Sequence, residues 1–177
     1  VSTLHSIDLQ HLKTRPHSAQ LQSVLVGLRA DASDGSITVW TQDGEIAVLL
    51  AGTLERRLRI PQVAPGHRVY DALLTSDGSR VIACDSHQWF EGTLRQIDAS
   101  SGMLVHSTDV PRSCERIEEL SDGAILASTE VYRLFLVRRD GSQVLGPKEY
   151  SAEGYSTGDI AVSPDFSANT HTSPCIA

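Results

Sequence analysis

Residues 66–110 read GHRVYDALLTSDGSRVIACDSHQWFEGTLRQIDASSGMLVHSTDV, and the punctuation of this stretch decides the fold. A Gly-His pair opens it. Apolar runs follow at 69–74, 80–84, 93–97 and 103–106, with Ser76-Asp77-Gly78 between the first two and Ser100-Ser101-Gly102 between the last two. Runs of strand length separated by Ser, Asp and Gly read as antiparallel strands joined by tight turns. The stretch therefore predicts a four-stranded up-and-down sheet, with strands a to d in chain order.

Working outward, the same punctuation recurs. The strand-b entry SDGSRVIA at Ser76 returns as SDGAILAS at Ser121 and SPDFSANT at Ser163. The strand-c turn returns as SITVWTQDG, TLRQIDASSG and RLFLVRRDG, beginning at Ser36, Thr93 and Arg133. Asp77 to Asp122 is 45 residues and Asp122 to Asp165 is 43. A period in the forties with four strands per unit is the signature of a β-propeller blade. The expected fold class is all-β, with about three propeller blades of four antiparallel strands and the start of another.

On these residues the unit resembles a WD repeat, and the resemblance runs from about Gln20 to Phe166. Gly66-His67 match its opening, and Ser76-Asp77-Gly78 match its first turn, as does Asp122-Gly123 in the next copy. Trp40 takes the tryptophan position in the first copy, Ile97-Asp98 replaces Trp-Asp in the second, and Val137 stands there in the third. The resemblance implies that His67 is structural and joins a hydrogen-bond network between strands of one blade. With Ile97 in place of the tryptophan, that network is expected to be partial.

The expected blades span 3–50, 66–110, 113–150 and, in part, 154–177. The first has strand a within 3–9, b at 23–28, c at 36–40 and d at 45–50. Three blades and a beginning fall short of a closed ring, since propellers use typically 4–8 blades. Val1 is not a natural start. The chain is therefore expected to be a section of a larger propeller, completed by missing sequence or by another chain.

The first two copies carry extra length. Trp40 lies 57 residues before Ile97, whereas Ile97 lies 40 before Val137. The excess falls at 51–65 and 85–92, in d-to-a and b-to-c connections that an antiparallel meander sends to one face. Insertions on one face of a repeat protein often mark its binding face. Leu54 and Leu58 are four apart behind Thr53, which predicts a helical turn or two in the first insertion. Arg56, Arg57 and Arg59 make it basic; the second holds His87, Trp89 and Phe90; Arg112 and Tyr132 occupy equivalent loops. Large aromatics and arginines dominate interaction hot spots. These eight residues form the expected partner-binding face. The competing reading folds Trp89 and Phe90 back over their own blade and leaves the arginines solvated.

Composition narrows the function. The 177 residues carry a net charge of −7, which disfavours a nucleic-acid surface. No stretch approaches the roughly 20 apolar residues of a membrane span. Cys84, Cys114 and Cys175 are odd in number and widely spaced, so the expectation is free buried thiols in a reducing, cytoplasmic setting, with no disulfide framework and no zinc site. The seven histidines lack ligand spacing, and no phosphate-binding glycine motif occurs. Gly154-Tyr155-Ser156-Thr157-Gly158 fits G-x-S-x-G, but that motif works at a strand-to-helix turn above a parallel sheet, and no αβ alternation surrounds it. The reading is a non-enzymatic scaffold without cofactor or metal, serving other protein chains in a larger complex. Its alternatives are a quinoprotein-like propeller enzyme with a ligand in the central channel, and an architectural module packed permanently against another chain.

Overall fold

The computed structural model describes residues 1–8, 13–31, 35–87, 91–111, 113–129 and 133–149. The partial blade expected at 154–177, the G-x-S-x-G stretch, Trp89, Phe90, Arg112 and Tyr132 lie outside the described residues. Every described element is a strand. A two-stranded sheet pairs β1 (Ser2–Asp8) with β2 (Lys13–Leu21). Three four-stranded antiparallel meanders follow. The first holds β3 (Leu25–Ala30), β4 (Ser36–Thr41), β5 (Ile46–Leu50) and β6 (Arg56–Ile60). The second holds β7 (Arg68–Leu74), β8 (Arg80–His87), β9 (Glu91–Asp98) and β10 (Leu104–Pro111). The third holds β11 (Cys114–Glu119), β12 (Ile125–Thr129), β13 (Arg133–Val137) and β14 (Gln143–Glu149).

Local chemistry closes the turns. Gly78 N–H donates to the Thr75 carbonyl and Gly123 N–H to that of Leu120. Both glycines sit at positive φ, 69° and 79°, where a Cβ would be strained. Asp77 Oδ1 accepts from the Ser79 amide at 3.0 Å and Asp122 Oδ1 from the Ala124 amide at 3.2 Å. The repeat positions Asp77, Gly78, Asp122 and Gly123 thus build first-to-second-strand turns.

The first and second four-stranded sheets each pack against a neighbour on both faces, so their strands carry apolar residues on both faces. On β5, Ala47 and Leu49 join a core with Ala19 and Leu21 of β2, while Ile46 and Val48 face the second sheet. On β8, Val81 and Ala83 complete that second core, while Ile82 and Cys84 face the third sheet beside Ile117, Ile125 and Phe135. Ile97 belongs to the former core and Val137 to the latter. The innermost strands stack side by side: β7 packs against β3 and β4 on one flank and against β11 on the other.

Four expectations are corrected. First, the first sheet spans Leu25–Ile60, not 3–50, so Ser36–Thr41 is its second strand and not its third. Trp40 is then not equivalent to Ile97 and Val137, which end third strands. Ser33-Asp34-Gly35, with Gly35 at φ 67°, precedes β4 as Ser76-Asp77-Gly78 precedes β8. Its aspartate lies 43 residues before Asp77, and the apparent excess length came from this phase error. Second, no helix forms at 51–65. Arg56–Ile60 pairs with β5 as an edge strand, Thr53 Oγ1 accepts from the Glu55 amide inside a hairpin, and buried Leu54 takes φ 55° there. Third, 85–92 is mostly strand, since β8 runs to His87 and β9 starts at Glu91. Fourth, Cys84 and Cys114 form a disulfide, with Cα atoms 5.3 Å apart. Tertiary packing brings β8 and β11 face to face across 30 residues of sequence, which spacing alone did not reveal.

Candidate functional site

Of the expected partner-binding residues, the four described ones, Arg56, Arg57, Arg59 and His87, are not gathered into one patch. Arg59 Nε donates at 2.7 Å to Oε1 of buried Glu45, whose Oε2 accepts from the Gln22 amide. Arg56 donates at 2.8 Å to the Gln20 carbonyl. These two arginines staple β6 to its own sheet and to the segment before it. Exposed Arg57 borders a depression of about 270 Å³ with Leu58, Leu74, Ala99 and Ser100. His87 ends β8, with its ring centroid 5.3 Å from that of His67 and its Nδ1 3.3 Å from the Gly66 carbonyl. It belongs to the second sheet, while the arginines lie on the outer strand of the first.

His67 sits in a hydrogen-bonded network of the second sheet. Its Nδ1 lies 2.5 Å from Asp85 Oδ1, and Asp85 Oδ2 accepts from Arg95 Nε at 2.8 Å. His67 precedes β7, Asp85 lies on β8 and Arg95 on β9, so the network ties three strands of one sheet. Asp85 is fully buried. Burial raises its pKa against the pull of Arg95 and His67. The network was expected to be partial, with Ile97 at the tryptophan position; Arg95 supplies the far partner. Asp98, after Ile97, accepts from the amides of Ser100 and Ser101 and from both hydroxyls. Those bonds hold its pKa down at about 2.

A second constellation was missed by the sequence reading. An open depression of about 470 Å³ is lined by Gly27, Leu28 and Arg29 of β3, Trp40 of β4, Tyr70 and Asp71 of β7, and Arg116 and Glu118 of β11. At its centre the Arg29 guanidinium donates to Asp71 at 2.9 Å and to Glu118 at 3.0 Å. One fork thus joins three consecutive innermost strands. Asp71 Oδ2 also accepts from the Ile117 amide and Oδ1 from the Ala72 amide. Burial pushes the Asp71 carboxyl up, opposed by Arg29 and these amides. Arg68 lies 5.4 Å over the Tyr70 ring. The one available signal was charge within each first strand: Arg29 in LVGLRA, Asp71 in RVYDALL and Glu118 in CERIEE. Among the described residues, no group of three or more His, Cys, Asp and Glu is placed to hold a metal.

Repeated four-stranded meanders, stacked through their innermost strands, define the architecture as blades of a β-propeller. Solved structures agree. The WD40 β-propeller domain of Doa1 superposes with a TM-score of 0.66 at 13% identity, over 84% of this chain and 48% of that one. Dihydro-heme d1 dehydrogenase NirN, solved in complex with DHE, superposes with a TM-score of 0.63 at 14% identity, over 92% of this chain and 35% of that one. The chain thus spans less than half the length of either. At such identities the likeness establishes the propeller fold alone. No family model matches the sequence, and no curated protein does. No described helix is long and apolar enough to cross a membrane.

Proposed function

We propose that the chain is a section of a β-propeller that acts as a non-enzymatic scaffold, holding another protein chain within a larger assembly. The observation that carries this reading is the Arg29–Asp71–Glu118 hub. Three consecutive innermost strands each contribute one charged side chain to a preorganised wall, flanked by Tyr70 and Arg116. Aromatic and arginine side chains on a rigid support suit a recognition surface. Trp89, Phe90, Arg112 and Tyr132 are proposed as further contacts, together with Arg57 and His87.

Completion of the ring belongs to the same proposal. Val26 and Leu28 alternate with Gly27 and Arg29 on β3 and are 39% and 53% exposed. The neighbouring β1–β2 sheet covers Val39, Ala47 and Leu49 but leaves this stripe open. A blade's inner strands would cover it, supplied by further sequence or by another chain.

The test is co-purification of the full-length protein from its native source under mild conditions. A Tyr70→Ala, Arg116→Glu variant that folds should lose a stoichiometric partner. Retention of every partner by that variant would remove the inner wall from the proposal. The same comparison with Arg57→Glu, Trp89→Ala tests the outer contacts. A second reading places a small ligand in the depression, whose volume falls within the roughly 300–1,000 Å³ of ligand pockets. An absorbing molecule that stays with purified protein and is displaced by Tyr70→Ala would favour that reading over the scaffold.

A further inference from the structure

From the Cys84–Cys114 cross-link we infer an oxidative maturation step that positions one wall of the inner depression and places the folded chain in an oxidising environment. Both residues are fully buried, one on the second strand of the second sheet and the other opening the innermost strand of the third. The bond therefore does not brace a single sheet. It fastens the seam between two sheets. Just beyond it along β11, the Cys114 amide donates to Ser86 Oγ at 3.2 Å and the Ile117 amide to Asp71 Oδ2 at 3.0 Å. Arg116 and Glu118, which line the depression, lie two and four residues past Cys114 on the same strand. Fixing Cys114 against Cys84 fixes the register and depth of that strand, and so the reach of Glu118 to Arg29.

The chemistry balances as a thiol–disulfide exchange. The thiolate of one cysteine attacks a small-molecule or protein disulfide oxidant, forming a mixed disulfide and releasing one thiol. The second thiolate then displaces the oxidant's remaining sulfur as another thiol. Two protons and two electrons pass from Cys84 and Cys114 to the oxidant. Such bonds form and persist in oxidising compartments and are rare in the reducing cytosol, so the cytoplasmic expectation loses the free-thiol premise on which it stood.

The positioning inference rests on the inner depression being the site; the cross-link and the compartment do not. The experiment alkylates purified full-length chain under denaturing conditions, without and with reductant, and maps the peptides by mass spectrometry. The expected result is labelling of Cys175 alone before reduction, with the Cys84 and Cys114 peptides joined. Labelling of Cys84 and Cys114 before reduction, in protein made in an oxidising compartment, would overturn the cross-link. Amide hydrogen exchange then compares the oxidised protein with Cys84→Ala, Cys114→Ala and with oxidised protein treated with reductant while folded. Closing a loop of this length predicts that Tm falls by roughly 7–14 °C without the bond. Positioning predicts faster exchange at Ile117 and along β11, with β3 to β5 unchanged. A uniform loss of protection over all sheets would refute the positioning role and leave a general staple.

Discussion

Asp85 offers the sharpest trial of the energetic account. It is fully buried and bridges His67 and Arg95, and the Arg95 side chain is only 13% exposed. Removing one partner of such a buried pair strands the other charge, at a cost of about 3–5 kcal/mol. Asp85→Ala should therefore lower Tm by roughly 6–20 °C for a chain of this size. The opposing effect is visible in Asp85 itself, whose pKa burial raises. Keeping the carboxylate charged thus costs stability at pH values above its unfolded value near 3.8, and stability falls as pH rises from there through the folded pKa. Desolvation outweighs the attractions in that balance, so replacing the pair by apolar side chains of similar volume, Asp85→Leu with Arg95→Met, should be neutral or stabilising by about 1–4 kcal/mol. Urea titrations at neutral pH, followed by circular dichroism and tryptophan fluorescence, measure both variants; agreement of the two probes licenses the two-state reading. Two results would refute the reasoning: an Asp85→Ala loss below about 1 kcal/mol, or equal losses in the two variants.

Other predictions are smaller in scope. A Cβ at Gly27 would lie 2.2 Å from Cζ2 of Trp40, so Gly27→Ala should cost about 1–3 kcal/mol in a melt, and Trp40→Leu should recover part of that loss. Leu54→Gly relieves a left-handed backbone worth about 1–2 kcal/mol but removes a buried side chain worth about 2–5 kcal/mol; burial should win, giving a net loss in urea unfolding. Asp98 has its pKa depressed to about 2 from 3.8, so its stabilising turn bonds are present above that unfolded value and fade as pH falls through the folded one. Asp98→Asn should flatten the stability profile between those pH values, and an unchanged profile would show that the turn carries no linkage.

Much of the second and third sheets was legible because their determinants are local. Ser-Asp-Gly before an apolar run needs no distant partner to make a turn, and both copies form where they were expected. The first sheet was legible too, through Ser33-Asp34-Gly35, but Trp40 before Thr41 imitated the Trp-Asp end of a third strand and shifted the reading by one strand. Composition also misled at 51–65, where helical spacing of Leu54 and Leu58 lost to the pairing that β6 offers the edge of β5.

What the sequence by itself determined is therefore the unit: turn, strand and period, set by residues within a few positions of one another. Only the tertiary structure decided which units touch, and through what. Arg29 meets Asp71 and Glu118 across 42 and 89 residues, and Cys84 meets Cys114 across 30. These partners lie on different sheets, so their meeting depends on how the innermost strands stack. That stacking is set by the summed burial of three apolar interfaces, a quantity no single motif encodes.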